Sequence, residues 1–321
     1  MAAVPATPDS AFSKPRIGLL DTARGVALLA MATYHFSWDL EFFGYLDAGT
    51  TTQGLWKLYA RAIASSFLFV AGFSLVLGNS PHIRWRSFSK RLAMIVAAAA
   101  AITIGTAIAV PSGMIFFGIL HSIATASVIG LAFLRLPAIV AIAAAIAAIL
   151  APLYLRSPFF DEPLLWWTGL AETVPRSNDF VPILPWIAPF LLGLAAAQIA
   201  MARGWLGSLA SLGTGDSLLA KAGRHSLIVY LVHQPILIAI VYGLTFVYPP
   251  PVADPIASYL GNCQRACSQQ EDAAFCERFC GCTLDRLNEQ NLFTSLQNGT
   301  IAPDKDERIQ RIALECSAVS R

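Results

Sequence analysis

The sequence predicts an all-α protein: a polytopic bundle of about seven transmembrane helices with a small, cysteine-rich, helical C-terminal extension. Three observations carry that expectation. Hydrophobic residues make up 56% of the chain and charged residues 13%, a balance unlike that of a water-soluble globule. The apolar residues fall in blocks of roughly 20, the length a helix needs to cross the hydrocarbon. All six cysteines lie after Gly261, in a stretch that is otherwise polar. A net charge of +2 gives no footing for nucleic-acid binding.

Taken in order, residues 1–15 are rich in Pro, Ala and Ser and are expected to form a disordered cytoplasmic lead-in. Ala30-Met31-Ala32 resembles a signal-peptide cleavage site. Asp21 and Arg24 interrupt the apolar run before it, and the apolar character continues beyond, so the first span is expected to be retained. Seven stretches qualify as spans: 21–43, 57–78, 91–110, 114–134, 137–155, 181–201 and 225–247. Lipid offers backbone groups no partners, and the Ala-rich runs lack strand alternation, so each is expected to be helical. Small residues such as Ala97 to Ala101 and Ala143 to Ala145 permit close helix packing. The Pro-rich 181–190 segment is expected to be irregular. Residues 16–250 then form the membrane domain and 251–321 a separate tail.

Orientation follows from the basic residues. Lys14 and Arg16 precede the first span, Arg84, Arg86, Lys90 and Arg91 follow the second, Arg135 follows the fourth, and Arg203, Lys221 and Arg224 separate the sixth and seventh. These alternate loops belong on the cytoplasmic side. An odd number of spans starting inside puts the C-terminus outside, where cysteines can pair. The expected location is a bacterial inner membrane with a periplasmic tail.

The first span carries the strongest polar pattern, with Asp21, Arg24, His35 and Asp39 inside an apolar helix. Ionisable groups there are costly and usually face a cavity or the bundle interior. At 100° per residue, Arg24 and His35 return to nearly one face, with Asp21 and Asp39 within about 60° of it. His35 would lie about 16 Å deeper than Arg24, with Asp39 one turn further on to orient its ring. The competing explanation has Arg24 snorkelling to headgroups and His35 packed as a hydrogen-bonded residue.

Arg24, ten residues and His35, preceded by Leu20-Asp21, resemble the Arg-X10-His signature of the membrane acyltransferase-3 family. Further segments resemble the catalytic domain of the heparan-alpha-glucosaminide N-acetyltransferase family. They are Asp21 to Gly25, Phe67 to Ser74, Gly118 to His121, Asp179 to Trp186 and Ser226 to Gln234, spread in order over residues 16–240. The resemblance implies transfer of an acyl group, most naturally acetyl, from cytosolic acyl-coenzyme A to an acceptor reached from the other side. Acyl-coenzyme A would be a co-substrate, with no resident cofactor or metal. Residues 44–55 contain no histidine, so the loop histidine of the lysosomal enzymes has no counterpart. The catalytic role is carried over only from the acyltransferase-3 pattern, onto His35.

The other polar groups are read beside that resemblance. His121 and His233 are expected near mid-depth, either binding substrate and stabilising an oxyanion or hydrogen-bonding between helices. A three-histidine metal site with His35 lacks supporting ligand spacing. Arg61 would meet an anionic acceptor or pair with Asp39. Asp179 would bind an amino or hydroxyl acceptor, or cap the following segment. Arg224 and His225 lie where coenzyme A phosphates would arrive, and snorkelling explains them nearly as well. In the tail, Cys263-x3-Cys267 and Cys276-x3-Cys280 put each pair on one helical face, so two short helices can be stapled antiparallel. With Cys282 and Cys316, 15 connectivities are open, and zinc binding is the rival to disulfides.

The expected partners are the bilayer, acyl-coenzyme A and a glycan or other small acceptor; a homo-oligomer is compatible with the sequence. The alternative functions are a transporter or channel using the polar stripe as a solute or proton path, and a non-catalytic scaffold displaying the tail.

Overall fold

The computed structural model describes residues 17–174, 176–212, 216–251, 254–268, 271–303 and 305–320. The lead-in, including Lys14, and Arg16 lie outside them. The described residues are helical with no strand. The helices are α1 (Gly18–Phe42), α2 (Gly54–Asn79), α3 (Trp85–Ala109), α4 (Ile119–Phe133), α5 (Ala138–Tyr154), α6 (Ile183–Ala202), α7 (Leu206–Ser211), α8 (Leu218–Arg224), α9 (Ser226–Val247), α10 (Pro255–Cys267), α11 (Ala273–Glu289), α12 (Phe293–Gln297) and α13 (Glu307–Ser320).

Each expected span coincides with a helix. Four of them, α2, α3, α6 and α9, are long and apolar enough to cross a membrane. Helices α4 and α5 are apolar but shorter, at 15 and 17 residues. Helix α1 is 25 residues long but carries Asp21, Arg24, Asp39 and Glu41. A 3₁₀ turn at Pro111–Gly113 delays α4 to Ile119. The Pro182–Pro185 run breaks helical geometry at Leu184 (φ −100°, ψ 126°) before α6 continues, the irregularity that proline content implies.

The chain divides into two compact units, residues 1–32 with 60–235 and residues 33–59 with 236–321. In the first, Leu68, Phe190, Leu191 and Leu194 are fully buried in a core shared by α2, α4, α5 and α6. Two backbone crossings tighten this unit. A Cβ at Gly72 would strike the Phe190 carbonyl and one at Gly193 the Phe69 carbonyl, so α2 and α6 meet glycine to backbone in both directions. Likewise Gly25 lies against the Leu219 carbonyl and Gly223 against the Asp21 carbonyl, seating short α8 on the start of α1.

In the second unit, the Glu41 carboxylate accepts from Gly49 N (2.5 Å), Thr51 N (2.8 Å) and Thr51 Oγ1 (2.7 Å), closing the loop after α1. The tail is helical and disulfide-bonded, as its cysteine spacing implies. Cys263–Cys280 and Cys267–Cys276 staple α10 to α11 in antiparallel register, and Cys282–Cys316 joins α11 to α13. No cysteine is free. Asp254 and Asp272 cap α10 and α11 by accepting from Ile256 N (2.9 Å) and Phe275 N (2.8 Å). Leu287, Leu292, Ile312 and Cys316 form the tail's own small core.

Candidate functional site

Near the N-terminal end of α1, Arg24 is held by two partners rather than left to snorkel. Its Nη1 donates to Asp21 Oδ1 (2.9 Å), one turn back on the same helix. Its Nη2 donates to Ser74 Oγ on α2 (2.5 Å), and Ser74 in turn donates to the Val70 carbonyl (2.6 Å). Asp21 and Ser74 are both buried. A buried carboxylate and a buried hydroxyl thus fix a half-buried guanidinium. Ser74 also borders a cavity of about 170 Å³ between α2, α3 and α4, whose rim includes Arg84 and Arg91. Ser74 closes the segment Phe67 to Ser74 quoted above, but nothing in the sequence marked its hydroxyl as the partner of Arg24. Arg84 and Arg91 were read there only as signals of orientation.

His121 stands in the first turn of α4, not near mid-span. Its Nδ1 accepts from Gly118 N (3.2 Å), and its Nε2 lies 3.3 Å from Thr103 Oγ1 on α3. The single Thr103 hydroxyl hydrogen goes to the Ile115 carbonyl (2.7 Å), so in the contact with His121 the threonine oxygen accepts. The geometry assigns the neutral Nε2–H tautomer, with both ring nitrogens engaged. Asp179, in the loop before α6, reaches the same helix start: its Oδ2 accepts from Ile119 N (2.9 Å). It caps α4 from a distance, in place of the glycine at Gly118, where a Cβ would strike that carboxylate. Burial pushes the Asp179 carboxyl up to about 6, against the opposing pull of the Ile119 amide.

The remaining expected residues are placed as follows. His35 is half-buried on α1, its ring 5.8 Å from that of Tyr34, and Asp39 one turn on is fully buried. Both belong to the second unit, Arg24 to the first, and α1 runs unbroken through all three. His233 Nδ1 lies 2.7 Å from the Tyr230 carbonyl on α9. Arg61 is exposed on α2 and makes no hydrogen bond or ion pair with a described residue. Arg224 ends α8, and His225 follows it with Nδ1 3.1 Å from the Lys221 carbonyl; both are exposed. Among the described residues no group of three or more His, Cys, Asp or Glu is arranged to hold a metal ion.

Helices of spanning length and apolar composition, with a paired arginine near the start of α1, are those of an integral-membrane protein. Residues 16–235 match the family model described as heparan-alpha-glucosaminide N-acetyltransferase, catalytic, and the chain belongs to that family. Membership places it among the membrane acetyltransferases. Comparison with curated proteins and with solved structures gives no match.

Proposed function

We propose that the chain transfers an acyl group, acetyl by family, from cytosolic acyl-coenzyme A to an amine or hydroxyl of an acceptor on the opposite side of the membrane. A sugar or glycan is the acceptor class the family favours. The observation that carries this reading is the family match over residues 16–235 together with a half-buried Arg24 held by Asp21 and Ser74 inside two of the matched segments. The location is a bacterial inner membrane, with the N-terminus cytoplasmic and the disulfide-bonded tail outside.

In this reading His35 takes the proton from the acceptor, or carries the acyl group transiently, and Asp39 orients the ring. Arg24 steers the donor, with Arg224 and His225 meeting its phosphates. Arg61, Asp179 and His233 serve the acceptor or the developing oxyanion. His121, with both nitrogens engaged, contributes by holding the Gly118 turn and Thr103 in place. A thioester is already activated, so positioning and proton removal supply much of the rate.

The test is turnover by purified protein reconstituted in vesicles, following thioester loss and acyl transfer to a glycan amine. His35→Ala should abolish transfer while leaving expression and acyl-coenzyme A binding near normal. Turnover retained in that variant would remove His35 from the reaction.

A further inference from the structure

The cavity beside Ser74 holds a second feature, separate from the groups assigned above. Arg84 sits at its rim as the N-cap of α3, with Ser87 and Arg91 following on the first turns of that helix. Arg84 is bolted down: its backbone N–H donates to Asn79 Oδ1 (3.2 Å) and its Nε to the Gly78 carbonyl (2.7 Å). Asn79 is itself anchored, donating to the Leu75 carbonyl (2.9 Å). These bonds fix the guanidinium plane and leave its terminal nitrogens without a partner among the described residues. Arg91, two turns further along α3 and exposed, makes no side-chain hydrogen bond or ion pair with a described residue. The described residues lining the cavity include two guanidiniums and no carboxylate. Its volume of about 170 Å³ is far above the roughly 10–15 Å³ that a single water needs.

We propose that this cavity binds a phosphate group, held by the guanidiniums of Arg84 and Arg91 with the Ser87 hydroxyl beside them. The planar fork of arginine matches a phosphate in bidentate fashion, and an anion with several acceptor oxygens answers two neighbouring guanidiniums better than chloride or water does. Two sources carry that chemistry: the headgroup of an anionic phospholipid, and a soluble phosphate ester arriving from the aqueous side. Trp85, 61% exposed and packed edge-on against Phe88, lies next to Arg84, and an exposed tryptophan beside a basic residue is the pairing common at headgroup level.

The experiment uses the full chain in nanodiscs of neutral phosphatidylcholine, with Arg84→Gln/Arg91→Gln as the test variant and Lys90→Gln as the control. Inorganic pyrophosphate is titrated by calorimetry, and retention of added phosphatidylglycerol is followed by native mass spectrometry. The double variant should lose at least about tenfold in affinity for whichever probe binds, while Lys90→Gln stays within about twofold of the parent. Pyrophosphate binding that depends on the two arginines identifies a soluble ester as the source; dependent lipid retention identifies the headgroup. Arg91→Lys, which keeps the charge but not the fork, should retain part of the affinity and guards against a folding defect. If neither probe binds the parent, or if binding is indifferent to both arginines, the site is refuted. Binding is read without turnover, so a chain that binds phosphate but transfers no acyl group would remove the acyltransferase reading and leave this site standing.

Discussion

Arg24 reaches across 50 positions of sequence to donate to Ser74 Oγ at 2.5 Å, and this bond ties α1 to α2 while Asp21 holds the other arm of the same guanidinium. Removing the hydroxyl deletes a charge-assisted hydrogen bond to a half-buried guanidinium. Ser74→Ala should therefore cost about 1.5–3 kcal/mol, the range for hydrogen bonds to charged groups, measured as lowered thermal stability in detergent. Arg24→Ala should weaken donor binding more than acceptor binding; equal losses would count against a donor role.

Thr103 supports both the Ile115 carbonyl and the His121 ring with one hydroxyl. Thr103→Val keeps the volume and deletes both bonds, so a loss of about 1–3 kcal/mol is expected in unfolding experiments. His121→Ala should show a similar stability loss. A fully stable His121→Ala chain that has lost turnover would instead assign the ring to chemistry.

Asp179 gives a pH signature of opposite sign to that of most carboxyls. Its folded pKa of about 6 lies above the ordinary value of 3.8, so between those limits the folded chain binds more protons than the unfolded one. Stability should accordingly fall as pH rises from about 4 to about 6, where the buried group ionises. Asp179→Asn should flatten that segment of a stability-versus-pH curve. An unchanged slope would show that the carboxyl titrates normally.

The tail should depend on its staples. Cys282–Cys316 spans 34 residues, and the chain-entropy estimate for a loop of that length is about 3–4 kcal/mol. Cys282→Ser/Cys316→Ser should leave α13 sensitive to protease while α10 and α11, joined by two other bridges, resist longer. In intact spheroplasts, impermeant thiol reagents should label the tail after reduction. Labelling only after lysis would overturn the outside placement.

Helix positions were legible because lipid leaves backbone groups no alternative, and long apolar runs can be counted. The two C-x3-C pairs carried the antiparallel staple for a similar reason, since i and i+4 share a face, while which sulfurs pair was open in the sequence and is given by the structure. What sequence did not carry were contacts between helices. Ser74 looks like any small residue in a packed span until Arg24 is seen against it. Arg84 and Arg91 report loop charge in one dimension and a cavity rim in three. The late start of α4 moved His121 to a helix end, because residues 114–118, which composition alone assigns to the span, are not helical.

The glycine contacts between α1 and α8 carry a mechanical consequence. With the Asp21 carbonyl against Gly223 and the Leu219 carbonyl against Gly25, there is no compressible side-chain layer between the two backbones. A tug on the segment around Lys221 is therefore transmitted to the helix turn bearing Asp21 and Arg24 as it would be through a gear without backlash. Whatever docks on that short helix has a direct handle on the Arg24 guanidinium.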